Sequence, residues 1–211
     1  MSCRLDMTLM YAMHNALRRE LEHIAKITAR VDDDPRRILA TAAGWEMFNK
    51  ALHVHHGAED EALWPVMRGA LAGRPDDLAL LEAMEAEHAA IDPVLEAIDA
   101  ALADRDSGPE RVGELTDALA GGLCGHLKHE EDEGLPLMEA TVTLQQWQQF
   151  GAVHGSRTGP DAPRLTPWLL DGADERTVAT MLAILPEPVR AAYRDQWQPA
   201  YAALDRWNAK T

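Results

Sequence analysis

Leu52-His53-Val54-His55-His56-Gly57-Ala58-Glu59-Asp60-Glu61-Ala62-Leu63-Trp64-Pro65 puts His55 and Glu59 on a stripe whose other members are Leu52 and Leu63. Steps of three and four residues return an α-helix to the same face, so this imidazole and carboxylate stand one turn apart on the side that should be buried. A second stretch keeps the same steps: Leu123, His126, Glu130, Gly134, Pro136 follows Leu52, His55, Glu59, Leu63, Pro65. The repeat selects His55 over its neighbours His53 and His56, and His126 over His129.

Helical periodicity extends outward from both stretches to about residue 140, with none of the strict alternation of a half-buried strand. The first helix runs from Thr8 to Val31 on a seam of Met10, Leu17, Leu21, Ile24 and Val31, and Asp32 to Pro35 break it. The second runs from Arg36 to Met67 along Ile38, Trp45, Phe48, Leu52, Leu63 and Val66, with Gly73 to Pro75 as the turn. The third carries Leu78, Leu81, Met84, Ile91, Leu95, Ile98 and Leu102, with Pro93 as a candidate kink, and ends at Arg105 to Pro109. The fourth, Glu110 to Met138, shows Val112, Leu115, Leu119, Leu123 and Leu137. The expected fold is all-α: an antiparallel up-and-down four-helix bundle over residues 1–140. Residues 141–211 hold four of the six Trp and many prolines. They read as a shorter helical C-terminal extension packed on the bundle, with helices such as Glu175 to Leu185 and Pro188 to Trp207.

Composition narrows the partners. The 211 residues include 35 acidic and 20 basic ones, a formal charge of −15, which argues against nucleic acid or an anionic membrane. Cys3 and Cys124 form no motif, the pattern of a reducing compartment. No signal peptide is legible and no apolar run approaches the ~20 residues that span a bilayer, so the expected location is the cytoplasm.

Every seam is interrupted by polar residues. His14 falls between Met10 and Leu17, His55 and Glu59 between Leu52 and Leu63, His88 between Met84 and Ile91, and His126 and Glu130 between Leu123 and Leu137. Counted from the connecting loops at about 1.5 Å per residue, the four imidazoles lie within about 5 Å of one another in height. A lone seam histidine is usually a satisfied core residue; six polar seam positions at one level point to a metal. The remaining polar residues have plainer readings. Glu131, Asp132 and Glu133 read as a solvated run, Asp32 to Asp34 as turn residues, and Met7, Met10 and Met13 as core. His56 and His129 lie near the seam but off the repeat, and His154 has no assigned role.

Imidazole and carboxylate ligation without paired thiolates suits iron, manganese or zinc. Four His and two Glu are too many for one tetrahedral zinc, whereas two ions bridged by the carboxylates use them all. Bridging gives about eight bonds where two octahedral ions need about twelve; an oxo or hydroxo bridge adds two, leaving roughly two positions open. No nucleophilic triad, phosphate loop or dinucleotide fingerprint points to other chemistry.

The order His14, His55 with Glu59 ahead of Leu63-Trp64-Pro65, Glu87-His88, then His126 with Glu130 ahead of Leu135-Pro136 resembles the hemerythrin-like, HHE cation-binding family over about residues 8–140. The resemblance implies two iron ions in a non-heme di-iron centre, oxo- or hydroxo-bridged, with Glu59 and Glu130 bridging and His14, His55, His88 and His126 terminal. It further implies a small diatomic or peroxide ligand: dioxygen, nitric oxide or hydrogen peroxide, handled in oxidative or nitrosative stress. Storage or sensing of oxygen or iron without turnover, and a catalase-like or nitric-oxide-consuming enzyme, both remain open. One departure matters, because oxygen carriers of the family have a second histidine one turn from the third-helix ligand, where this chain has Met84 and Asp92. Asp92, Glu87 or His129 can fill that place. A ferritin-like di-iron carboxylate oxidase, with Glu20-His23 and Glu85-His88 at the required spacing, is the metal alternative; height separates His23 from His55 by about 15 Å along the bundle.

Overall fold

Prolines mark most of the helix starts. The computed structural model describes residues 5–29, 34–104, 106 and 108–207, which are helical with no strand among them. Helix α1 spans Thr8–Thr28, α2 Pro35–Leu39, α3 Ala43–Ala62, α4 Trp64–Ala70, α5 Pro75–Ala103, α6 Pro109–His129 and α7 Leu135–Thr141, with a π turn at Glu130–Gly134 ahead of α7. Pro35, Pro65, Pro75, Pro109 and Pro136 each stand in the first turn of a helix, where a missing N–H leaves nothing unpaired. Val31, Asp32, Asp33, Arg105 and Cys3 lie outside the described residues; Cys124 is exposed and free.

Two of the expected helices are not single rods. The second is three pieces, α2, α3 and α4, because the chain turns at Ala40–Ala42 and again at Leu63 just before Pro65. At the first break the Gly44 N–H is taken by the Arg206 carbonyl at 2.8 Å. The fourth is interrupted by the π turn, in which the Leu135 N–H reaches back to the Glu130 carbonyl. Pro136 has no N–H to continue the α pattern, and a π turn absorbs the irregularity. Both repeats thus break where their proline follows the Glu by six residues. Helix α5, by contrast, continues through Pro93.

The extension has more structure than the two or three shorter helices expected from sequence: α8 Leu144–Thr158, α9 Ala162–Leu170, α10 Glu175–Ala183, α11 Glu187–Ala192 and α12 Gln198–Ala203. The segment Pro188–Trp207, expected as one helix, is divided by a second π turn at Tyr193–Trp197 ahead of Pro199. Helix α8 opens with a capping box of Thr143 and Gln146.

Helix α5 packs on α6, α6 on α1, α1 on α3 and α3 on α5, while α8 lies against α3 and α9 against both α1 and α3. The buried apolar residues form two clusters. One holds Leu17, Leu52, Ile91 and Leu123 with Trp168 and Trp207; the other holds Met10, Leu63, Met84 and Leu135 with Trp64 and Phe150. On each of the four principal helices one cluster gives way to the other where the polar seam residues stand. The interior is therefore two apolar halves with a polar layer between them. None of the helices among the described residues is long and apolar enough to cross a membrane.

Candidate metal centre

The polar layer takes His14 from α1, His55, His56 and Glu59 from α3, His88 from α5, His126 from α6, and Glu130 from the head of the π turn. None of the seven is more than 6% exposed. Two groups offer converging ligand atoms: His14, His55 and Glu130, and His56, His88 and His126, each set lying within 4.8 Å of one another. The two glutamates lie between the groups. Glu59 Oε1 is 3.5 Å from His55 Nε2 and its Oε2 3.6 Å from His88 Nε2. Glu130 Oε2 is 3.1 Å from His14 Nε2 and 3.9 Å from His126 Nε2. His88 Nε2 and His126 Nε2 are 3.1 Å apart, which matches two nitrogen bonds of about 2.1 Å meeting at a right angle.

Most of these atoms have no hydrogen-bond partner within the protein. All four oxygens of Glu59 and Glu130, both ring nitrogens of His55, and Nε2 of His14 and of His56 are buried without a hydrogen bond. Leaving a buried polar group unpaired costs roughly 1–3 kcal/mol, more when it is charged, so the layer is expensive unless something cationic occupies it. The electrostatics agree. Burial, followed by the neighbouring Glu130, pushes the Glu59 carboxyl well above the usual range. Burial works the same way on Glu130, but His14 outweighs it and keeps that carboxyl below the usual range. Burial and then the surrounding imidazoles hold His55 and His56 well below the ordinary histidine value, which leaves them neutral with free lone pairs. For His14, Glu130 and Glu131 overcome the effect of burial and raise the value. Imidazoles and carboxylates in a thiol-free layer form a donor set that fits iron, and equally manganese or zinc.

Outside this layer, acids hold the imidazoles in orientation. His14 Nδ1–H donates to Glu131 Oε1 at 2.9 Å, and Arg18 clamps the same carboxylate at 2.7 and 2.9 Å. His88 Nδ1–H donates to Asp60 at 3.0 Å. Glu87 accepts from His126 Nδ1 with one oxygen and from His129 Nδ1 with the other, both at 2.9 Å. For His14, His88 and His126 the bond turns the other nitrogen, Nε2, toward the centre, the arrangement that fixes the tautomer and basicity of metal-binding histidines. Glu131 is thus no part of a solvated run: it is 21% exposed, and His14 with Arg18 overcomes burial to hold its carboxyl down at about 2.

All six residues selected by the repeat and the height count meet in the layer, and His56, which the repeat passed over, joins them. Adjacent helical residues differ by about 100° around the axis, so on a helix with packed neighbours on several sides both members of His55-His56 face inward. Of the three residues considered for the vacant third-helix position, none enters the layer. Asp92 is 61% exposed and 3.8 Å from His53, while Glu87 and His129 stand behind His126. The Glu20-His23 pair sits elsewhere: Glu20 accepts from Trp207 Nε1 at 2.9 Å and His23 stacks on the Trp207 ring. Glu85 pairs with Arg68. Met10 and Met13 are core residues. His154 on α8, left without a role by sequence, is 8% exposed with its ring 6.4 Å from that of His55.

Comparison with known families matches the model of the hemerythrin HHE cation-binding domain over residues 6–138. Comparison with curated proteins and with solved structures gives no significant match.

Proposed function

The chain belongs to the hemerythrin HHE cation-binding family, and from that premise we propose that it is a non-heme di-iron protein that binds and reacts with dioxygen, hydrogen peroxide or nitric oxide. The observation that carries this reading is the buried layer of unpartnered donors, in which two carboxylates lie between two groups of imidazoles. His14, His55, His88 and His126 would hold the two ions with their imidazoles, and Glu59 and Glu130 with their carboxylates. Two iron ions there supply redox equivalents and open positions for a small ligand. The protein's own part is to hold Nε2 of each imidazole inward through Glu131, Asp60 and Glu87, and to shut bulk water out with the apolar clusters on either side. Residues 1–140 form an antiparallel four-helix bundle in this reading, and residues 141–211 an extension docked on it.

Metal analysis of the purified chain with a near-ultraviolet spectrum tests the assignment. Two irons per chain with a charge-transfer band are expected, and fewer than two, or no band, refutes the di-iron centre. Glu59→Ala should abolish both the band and any loss of added peroxide. Gas evolution from peroxide at substoichiometric protein identifies turnover; stoichiometric adduct formation with nitric oxide and no gas identifies a binding protein.

A further inference from the structure

Helix α5 brings one imidazole, His88, to a layer in which α3 brings two. The residue one turn before His88 is Met84, a buried member of an apolar cluster, and the one a turn after is the exposed Asp92. We propose that His56 is itself a metal ligand and supplies from α3 the imidazole that α5 lacks. This rests on the two-metal centre proposed above and assigns the second of its ions a third nitrogen.

Three observations carry the assignment. The His56 ring stacks on His88 with centroids 3.8 Å apart and planes 8° from parallel, and stands at 85° to His126 at 5.2 Å. The ligand atoms of the three rings all fall within 4.8 Å of one another, while His55 belongs to the other group, with His14 and Glu130. Finally, His56 Nε2 is buried without a partner. A ring used only to pack against His88 would gain the same stacking from an apolar side chain without the cost of an unpaired nitrogen. The consecutive residues His55 and His56 are therefore divided between the two halves of the centre. His129, the other candidate, is 29% exposed and already donates to Glu87. The coordination count changes accordingly. Of the roughly two positions left open on two octahedral ions, His56 would take one on the His88 and His126 side.

Cobalt(II) is a suitable probe, titrated anaerobically into the metal-free full-length chain and read by its visible absorption and by the metal count after desalting. Wild type should hold two ions. His56→Leu, which keeps apolar bulk against His88, should hold one ion tightly and bind the second at least roughly tenfold more weakly. His53→Ala, at an exposed position beside the site, should behave as wild type. If His56→Leu does not fold, His56→Gly with added imidazole decides the matter: imidazole should restore the second ion. Two ions bound with wild-type affinity by His56→Leu, or no effect of imidazole on His56→Gly, overturns the role of His56. A wild-type chain that never takes up two ions overturns the two-metal centre itself, a separate outcome.

Discussion

Replacing Glu59 by Met should stabilise the metal-free protein and destroy its response to metal. The side chain is 0% exposed and neither oxygen has a hydrogen-bond donor. Methionine is unbranched and close in length, so it fills the same space without an unpaired polar group. Removing that burden is worth about 1–3 kcal/mol, which in a chain of this length is a rise in melting temperature of roughly 2–12 °C. Metal should act in the opposite sense on the two proteins. Wild type gains about 4 kcal/mol when the ion is a thousandfold above its dissociation constant, whereas the Met variant, without a carboxylate between the two imidazole groups, gains little.

Thermal melts with a chelator and with excess iron(II) under nitrogen give all four values. The order expected is wild type below Glu59→Met without metal, and above it with metal. Glu59→Gln, which keeps the shape and a polar head, should shift the metal-free melt less than Met does while losing the metal response as fully. The reasoning is refuted if Glu59→Met melts lower than wild type in chelator, for then Glu59 is a satisfied structural residue. It is refuted equally if metal still raises the melting temperature of the variant by the wild-type amount.

Three further outcomes follow from the geometry. Glu131→Gln, Asp60→Asn and Glu87→Gln each remove a carboxylate that orients an imidazole and should weaken metal affinity about 10–100-fold, while Asp92→Asn leaves it unchanged; equal affinities across the series in a cobalt(II) titration would contradict the orienting role. Burial pushes the His154 imidazole from 6.5 down to about 4, so the unfolded chain takes up that proton first, and stability should fall by about 3 kcal/mol between pH 7 and pH 4, with no contribution above pH 7. His154→Leu should flatten that part of the pH profile of urea unfolding, and a slope equal to wild type argues against it. Gly44→Ala places a Cβ 2.4 Å from the Trp207 ring and should cost about 1–3 kcal/mol with altered tryptophan fluorescence; Gly57→Ala meets only the tip of Arg157, at 2.6 Å, and should change stability by less than about 1 kcal/mol.

The helical periodicity identified the class and the faces, because apolar spacing reports which side of a helix is buried. It did not report where the helices stop. Leu52 to Val66 reads as one continuous stripe, yet α3 ends at Ala62, since Pro65 is accommodated only by starting a new helix. The division between α2 and α3 was less legible still, because part of its cause is remote in sequence: the Arg206 carbonyl takes the Gly44 N–H, and Trp207 packs where any Cβ on Gly44 would stand. Helix α8 could have been found from Thr143-x-x-Gln146, a capping box that the surrounding prolines and aromatic residues overshadowed.

At the candidate site the spacing rule found residues that share one helix face and missed those that serve the neighbouring helix. Asp60 follows Glu59 and orients His88; Glu87 precedes His88 and orients His126; Glu131 follows Glu130 and orients His14. Each of these acids is displaced by one residue, about 100°, from a layer residue on its own helix, so it leaves that helix's inner stripe and reaches around the edge of the layer to the next imidazole. A search confined to steps of three and four discards such positions by construction, and exposure hides them further, Asp60 being 53% exposed. His56 was lost for the same reason, one step past His55. In a bundle whose interior holds ions rather than leucines, the residue beside a candidate ligand carries as much information as the residue one turn away, because the layer needs donors on the inside and acids behind the rings. The acid-rich run Glu130 to Glu133 illustrates the consequence: its first member lies in the layer, its second orients His14, and its third pairs at the exposed surface with Lys128.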